Sequence, residues 1–151
     1  MNGSSELTLV EILSAWLAPI IALVGLFYGG IQCYINRKRL KNDYFNRRVE
    51  IYESITKHIA TMLIEGDPPQ GSEIQFLRAT KNSYFIFGED IKEFNNQIYK
   101  KTITLQNLCS MSKTLINEGL KNNLDQQQEI KNWFKKELNS IEKKFKKYLK
   151  L

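Results

Sequence analysis

The chain has 151 residues, and its 22 lysines and arginines outnumber its 16 acidic residues, for a formal net charge of +6. This length gives room for one modest domain and an appendage. Its two cysteines exclude a disulfide framework of the kind that holds small secreted proteins together.

Residues 12–35 form an uncharged, largely apolar segment of 24 residues. As a helix it would be about 36 Å long, enough to cross a bilayer core of about 30 Å with some tilt. Secretory signal peptides instead carry positive charge before a shorter apolar core, and here no lysine or arginine precedes the segment. We therefore expect a retained transmembrane helix over residues 12–35, after a short extracytoplasmic tail of residues 1–11.

Basic residues crowd the end of this apolar segment. Six lysines and arginines lie between residues 37 and 48, against one acidic residue, Asp43. The positive-inside rule therefore predicts that residues 36–151 form a cytoplasmic domain and that the N-terminus lies outside. Basic side chains at this boundary attract anionic lipid headgroups. We expect membrane lipids to contact Arg37, Lys38, Lys41 and Arg48.

Small and polar residues share one face of the predicted membrane helix. Starting from Glu11, they recur at steps of three and four: Ser14, Ala18, Ala22, Gly25, Gly29, Gln32 and Asn36. Gly25 and Gly29 form a G-x-x-x-G motif, which allows two membrane helices to approach closely. The stripe favours a homo-oligomer, although alternating glycine and alanine also occur in single membrane helices that have no partner.

The same face continues beyond the membrane segment as a charged surface formed by Arg39, Asp43, Arg47 and Glu50. In one interpretation it is a solvated face outside a self-associating membrane helix. In the other, the stripe lines an oligomeric pore and these four residues form its cytoplasmic mouth. The sequence leaves both interpretations open.

The cytoplasmic part has the periodicity of helices and no alternating strand pattern, which predicts an all-α fold. The membrane helix should continue to about Glu65, where the sequence GDPPQG stops it. A second helix should begin with a capping box formed by Ser72 and Gln75. Its buried side is expected to contain Ile74, Leu77, Tyr84 and Phe85.

A third helix is predicted to begin after Gly88 and to end near Gly119, and a fourth to begin around Asp125. Together with the end of the membrane helix they would form an up-down bundle of about four helices. Most aromatic residues should fill its core, including Phe76, Phe85, Phe87, Phe94, Trp133 and Phe134. The lysine-rich last helix reads as a solvated face that could also lie along anionic lipid or RNA.

The residues give no sign of catalysis. The single histidine, His58, lies on the first helix, where it could pair with Glu50 or Glu53. Cys33, Cys109 and His58 are at the wrong depths and spacings for a metal, and no glycine-rich phosphate loop occurs. We expect no catalytic residue, no cofactor and no metal, and therefore no enzyme.

Three stretches, FNRRVEIYESI, FLRATKNSYFIFGEDI and NWFKKELNSIEKKFKKYLKL, resemble small bacterial proteins that have one membrane helix and a helical cytoplasmic domain. In layout the chain is also similar to the membrane accessory proteins of type VI-B CRISPR systems. That resemblance implies an oligomeric inner-membrane pore with a HEPN-like cytoplasmic domain, used in antiviral defence. The short Arg-to-His spacing of HEPN nucleases is absent, because Arg47 and Arg48 precede His58 by eleven and ten positions.

These observations predict an oligomeric protein of the bacterial inner membrane that perturbs the membrane or forms a pore when a cytosolic protein or ribonucleoprotein triggers it. The alternative is a membrane-tethered adaptor that holds a cytosolic partner without channel or enzymatic activity. A third interpretation is a degenerate nucleic-acid-processing enzyme. Direct binding of nucleic acid is not expected, because no aromatic platform accompanies the lysines.

Overall fold

The computed structural model describes the backbone of residues 6–150, and all the regular structure in that range is helical. Side chains are described from Glu11 onward, except those of Leu13 and Ala18. Five helices follow one another: α1 (Glu6–Ile64), α2 (Ser72–Thr80), α3 (Ser83–Ile86), α4 (Glu89–Ser112) and α5 (Asn117–Phe145). The prediction of an all-α fold is confirmed.

The chain divides into two compact units, an N-terminal unit that ends at Asp43 and a C-terminal unit that begins at Tyr44. The N-terminal unit consists of the first part of α1, which includes Pro19. A proline inside a helix removes one backbone hydrogen bond, and membrane helices tolerate this better than soluble ones. The helix is long and apolar enough to cross a membrane, and none of its most apolar window is buried against protein.

The C-terminal unit is a bundle in which α5 runs antiparallel to the end of α1. Arg48 Nη1 donates a hydrogen bond of 3.0 Å to the carbonyl oxygen of Tyr148. One turn further along α1, the rings of Tyr52 and Phe145 meet edge to face at 5.3 Å. Between these two contacts the residue numbers increase along α1 and decrease along α5, as they do in an antiparallel pair of helices.

Helix α4 runs parallel to the end of α1, and α2 and α3 run back between them. The backbone N–H of Gly88, the residue before α4, donates a hydrogen bond to the Tyr148 hydroxyl. The thiol of Cys109, near the end of α4, donates to the carbonyl oxygen of Gly66. We call the end of the unit marked by Arg48, Gly88 and Tyr148 the proximal end, since the chain enters there from residue 43. The opposite end, marked by Gly66 and Cys109, is the distal end. The up-down bundle is therefore confirmed, with its second member divided into α2 and α3.

The core lies between these helices and draws on all of the long ones. α1 contributes residues at steps of four, four and three, which keep them on one face: Ile51, Ile55, Ile59 and Met62. The largest fully buried side chains of α5 are Phe134 and Phe145. The predicted burial of Phe76, Phe87, Phe94 and Phe134 is confirmed, and Trp133 packs against the core while partly buried.

The predicted capping box at the start of α2 is wrong. Gly71 is the N-cap, with φ 82 in the left-handed region that favours glycine, and no side chain caps the helix. The carbonyl of Gly71 accepts the first helical bond, from the N–H of Gln75. Ser72 is therefore already inside the helix, and its buried hydroxyl lies 3.4 Å from Gln106 Nε2.

The predicted buried side of the second helix is also wrong. The helix stops at Thr80, and the turn at Lys81 and Asn82 reorients the chain before α3. In α3 it is Ser83 that faces the bundle, because its hydroxyl accepts a hydrogen bond of 2.9 Å from the buried Asn95. The expected apolar side is exposed instead: Ile74, Leu77, Tyr84 and, at 82%, Phe85.

The predicted boundary between the last two helices is misplaced. α4 ends at Ser112 rather than near Gly119, and α5 begins at Asn117 rather than at Asp125. The buried positions early in α5 are polar: Gln127 Nε2 donates to Asn123 Oδ1 at 2.7 Å. Hydrophobic periodicity cannot detect a helix turn whose buried residues are amides.

Phe134 and Phe85 were both expected in the core, but the structure buries Phe134 and exposes Phe85. The pair therefore provides a matched test. Phe134→Ala should lower the free energy of unfolding by about 3–5 kcal/mol, because Phe134 is fully buried. Phe85→Ala should change it by less than about 0.5 kcal/mol, because that side chain already lies in solvent. Urea unfolding of the full chain in mild detergent, followed by far-ultraviolet circular dichroism, measures both. Similar losses in the two variants would contradict the placement of Phe85 outside the core.

Candidate functional site

The stripe residues of the N-terminal unit lie on α1, and those whose side chains are described are exposed: Ser14, Ala22, Gly25, Gly29, Gln32 and Asn36. The side chain of Ala18 lies outside the described residues. Ser14 Oγ donates to the carbonyl of Glu11 at 3.0 Å, which satisfies its hydroxyl within the helix.

The glycines of the stripe have no packing role within the chain. A Cβ built on Gly25 or Gly29 would meet no other atom within 4 Å. Neither residue is needed for a turn, because both lie inside α1. Glycine inside a helix costs about 1 kcal/mol relative to alanine, and nothing within 4 Å in the chain requires glycine at these two positions.

The predicted mouth residues are all exposed but belong to different units. Arg39 and Asp43 lie in the N-terminal unit, and Arg47 and Glu50 lie in the C-terminal unit. The predicted headgroup residues Arg37, Lys38 and Lys41 are likewise exposed.

Arg48, also predicted to contact headgroups, has a second role. It is half-buried, and its guanidinium holds the carbonyl of Tyr148 at the end of α5. Its Nε is buried without a hydrogen-bond partner. Arg48 therefore joins the beginning of the C-terminal unit to its last residues.

His58 lies inside the C-terminal unit and is hydrogen-bonded to α4. Its Nε2 lies 2.9 Å from Thr102 Oγ1, and the Thr102 hydroxyl also lies 3.0 Å from the carbonyl oxygen of Ile98. The imidazole also packs on the Phe76 ring at 4.4 Å. Burial lowers the pKa of His58 to about 4, although nearby Glu73 acts in the opposite direction.

The cleft beside His58 offers no assembled catalytic group. The hydroxyls of Ser54 and Thr61 line it but donate to the carbonyls of Glu50 and Lys57 in their own helix. Among the described residues, no group of three or more His, Cys, Asp or Glu side chains is placed to hold a metal ion. The contacts of His58 with Thr102 and Phe76 join α1, α2 and α4.

A lysine-rich groove lies at the proximal end, between the start of α4 and the end of α5. Five lysines line it: Lys143, Lys144, Lys146, Lys147 and Lys150. Asp90 and Glu93 are its acidic residues. Sequence reasoning recognised the lysines as a face of the last helix, but it had no signal that placed α4 opposite them.

Hydrogen bonds of Tyr148 join the two sides of the groove, the end of α5 and the start of α4. Its hydroxyl donates to Asp90 Oδ1 at 2.7 Å and accepts from the backbone N–H of Gly88 at 3.2 Å. The Tyr148 hydroxyl and the Lys147 ammonium hold the pKa of Asp90 below its ordinary value. A small side chain added at Gly88 would come within 2.8 Å of both the Tyr148 hydroxyl and Asp90. A larger residue at this point would therefore force the Tyr148 hydroxyl or the Asp90 carboxylate to shift.

Two of the five lysines are neutralised within the fold. Lys147 pairs with Asp90 at 2.9 Å, and Lys144 pairs with Glu137 at 2.6 Å while lying over the Phe94 ring. For Lys143, Lys146 and Lys150, no ion pair forms with any carboxylate in the described part of the chain. The groove therefore presents uncompensated positive charge to solvent.

Comparisons with protein families, curated proteins and solved structures find no match to this chain. The fold and the exposed apolar helix define it as an all-α protein with one helix capable of crossing a membrane. The function must therefore be argued from its own residues.

Acid should destabilise the C-terminal unit through His58. The pKa of His58 is about 4 in the folded chain against 6.5 ordinarily. The unfolded chain therefore binds more protons between these values, and the free energy of unfolding falls as pH drops from about 6.5 to about 4. At about 1.4 kcal/mol per pKa unit, the loss from this group is on the order of 3 kcal/mol.

The matched variant is His58→Gln, whose amide can still donate to Thr102 but does not titrate. Urea unfolding at a series of pH values should show a shallower acid slope for the variant than for the parent chain. Equal slopes would mean that His58 is free to protonate in the folded state.

Proposed function

We propose that this chain is a single-pass protein of the bacterial inner membrane that works as a homo-oligomer assembled through the stripe of α1. The observation that carries the proposal is the open space at Gly25 and Gly29 on an exposed, apolar helix. Lipid supplies no hydrophobic drive for helix association, so membrane helices associate where small residues allow close packing. The stripe provides that surface over several turns.

The oligomer is proposed to act on the membrane itself. The stripe is small and polar, and Gln32 is more stable against protein or water than against lipid. Arg39, Asp43, Arg47 and Glu50 are exposed and charged, as residues at the mouth of a water path would be. We assign the mouth to the cytoplasmic side because the basic excess follows the apolar segment.

The biological setting proposed is antiviral defence, with a cytosolic protein or ribonucleoprotein as the trigger. It comes from the layout that the chain shares with the accessory membrane proteins of type VI-B CRISPR systems. The C-terminal unit, a bundle of helices with its own core, is the part that would receive the trigger.

A membrane-tethered adaptor is the second candidate, and a specific observation favours it. Ile64 and Ile116 are 83% and 78% exposed. Ile64 lies two residues before Gly66, and Ile116 lies seven residues after Cys109. Gly66 and Cys109 mark the distal end. In this alternative these two exposed isoleucines would contact the cytosolic partner, and α1 only anchors the chain.

Bulky residues in the stripe should weaken the oligomer. Gly25→Ile and Gly29→Ile, singly or together, would hold the helix backbones apart. Because a Cβ at either position meets nothing in the chain itself, the variants should fold like the parent. Cross-linking and light scattering of the protein in detergent and in nanodiscs measure the association.

Leu23→Ile, which lies off the stripe, is the matched control and should leave the oligomer intact. Equal loss of association in the control and the glycine variants would show that the stripe is not the contact face. If the glycine variants and the control all leave the oligomer unchanged, the stripe takes no part in the assembly.

Ion flux in reconstituted vesicles separates the two candidates. If Arg39 and Arg47 line the mouth of a pore, Arg39→Glu with Arg47→Glu should shift its selectivity toward cations. Both side chains are exposed, so folding should be retained. The measurement is the reversal potential of the full-length oligomer under a salt gradient.

The control replaces Arg78 and Lys81, two exposed basic residues of the C-terminal unit outside the proposed mouth, by glutamate. It makes the same change in net charge and should leave selectivity unchanged. An equal shift from both pairs would remove Arg39 and Arg47 from the mouth. Absence of flux in every form, with and without a cytosolic extract, would reject the pore and favour the adaptor.

A further inference from the structure

The proximal end of the C-terminal unit combines positive charge with an exposed aromatic ring. The uncompensated lysines Lys143, Lys146 and Lys150 line the groove there. Phe85 is 82% exposed, and it lies two residues before Phe87, whose ring meets Tyr148 at 5.1 Å. Exposed lysines and exposed aromatic rings both occur on surfaces that rest on the headgroup layer of a membrane.

This surface lies at the end where the chain enters the unit. Arg48, near the start of this unit, holds the carbonyl of Tyr148 at 3.0 Å. The lysines of residues 143–150 therefore lie at the end of the unit where the chain enters, although they are about a hundred positions later in sequence than Arg48.

The distal end does not share this charge. There Lys113 pairs with Asp67 at 3.5 Å, and exposed residues of both signs, such as Glu118 and Lys121, lie in the first turns of α5. The positive charge is therefore polarised toward the end from which the chain leads to the apolar segment. A solvated face with no partner would not require this polarity.

We propose that the lysine groove and Phe85 form a second membrane contact, which binds the anionic lipid headgroups of the bilayer that α1 anchors. The inference rests on the proposed function, since it takes α1 as the anchor. Anionic phosphate groups would approach Lys143, Lys146 and Lys150, while Lys144 and Lys147 remain in their ion pairs with Glu137 and Asp90. The contact would fix how the C-terminal unit is presented at the membrane surface.

The test measures amine reactivity in the full-length chain. The protein is reconstituted into nanodiscs of phosphatidylcholine alone or mixed with phosphatidylglycerol, and a water-soluble acylating reagent labels its lysines for quantification by mass spectrometry. Labelling of Lys143, Lys146 and Lys150 should be about fivefold slower in the anionic nanodiscs, and added salt should restore it. Lys113 and Lys121, at the distal end, should label equally in both.

A third arm adds inorganic phosphate to the neutral nanodiscs. Unchanged labelling there would support the lipid headgroup as the ligand, whereas protection by phosphate alone would overturn the membrane assignment. Equal labelling in neutral and anionic nanodiscs would also overturn it. Failure of the protein to float with neutral vesicles would overturn the α1 anchor and this contact together, so the two failures are distinguishable.

Two double variants test whether the groove itself causes the slower labelling in anionic nanodiscs. Lys146→Gln with Lys150→Gln should abolish the protection of Lys143, because the shared attraction is lost. Lys135→Gln with Lys136→Gln removes the same charge from exposed positions of α5 outside the groove and should preserve it. Equal loss in both pairs would attribute the protection to net charge and reject the groove as the contact.

Discussion

Helix α1 belongs to both units of the chain, and it exposes apolar side chains in one and buries them in the other. In the N-terminal unit it is long and apolar enough to cross a membrane, and none of its most apolar window is buried against protein. In the C-terminal unit the same helix buries Ile55, Ile59 and Met62 completely. The core residues of the other helices pack around these buried residues of α1. The spacing of four and three residues on α1 determines which faces the other helices bury.

Polar contacts then fix how the helices are joined. Tyr148 connects the end of α5 to Gly88 and Asp90 of the α4 start, and Arg48 connects it to α1. His58 connects α1 to α4 through Thr102. A buried polar group that lacks a partner costs about 1–3 kcal/mol, so these hydrogen bonds stabilise the arrangement of the helices.

Those surfaces differ in kind along the molecule. The N-terminal unit exposes apolar side chains with one small and polar stripe, and the proximal end of the C-terminal unit exposes lysines and an aromatic ring. The distal end exposes Ile64 and Ile116. Our proposals of association within a membrane, contact with its surface and binding of a cytosolic partner rest on this distribution.

The sequence by itself determined the apolar segment, the helical class and most of the core, because charge, length and a period of 3.6 residues are local properties. It could not place the turn at Lys81, which moves Phe85 into solvent, or the start of α5, whose buried Asn123 and Gln127 hide the helix from a hydrophobic pattern. Only the tertiary structure brought the lysines of residues 143–150 to the end of the bundle where the chain enters. The reason is that helix direction depends on long-range contacts such as that of Arg48 with Tyr148, which no local pattern encodes.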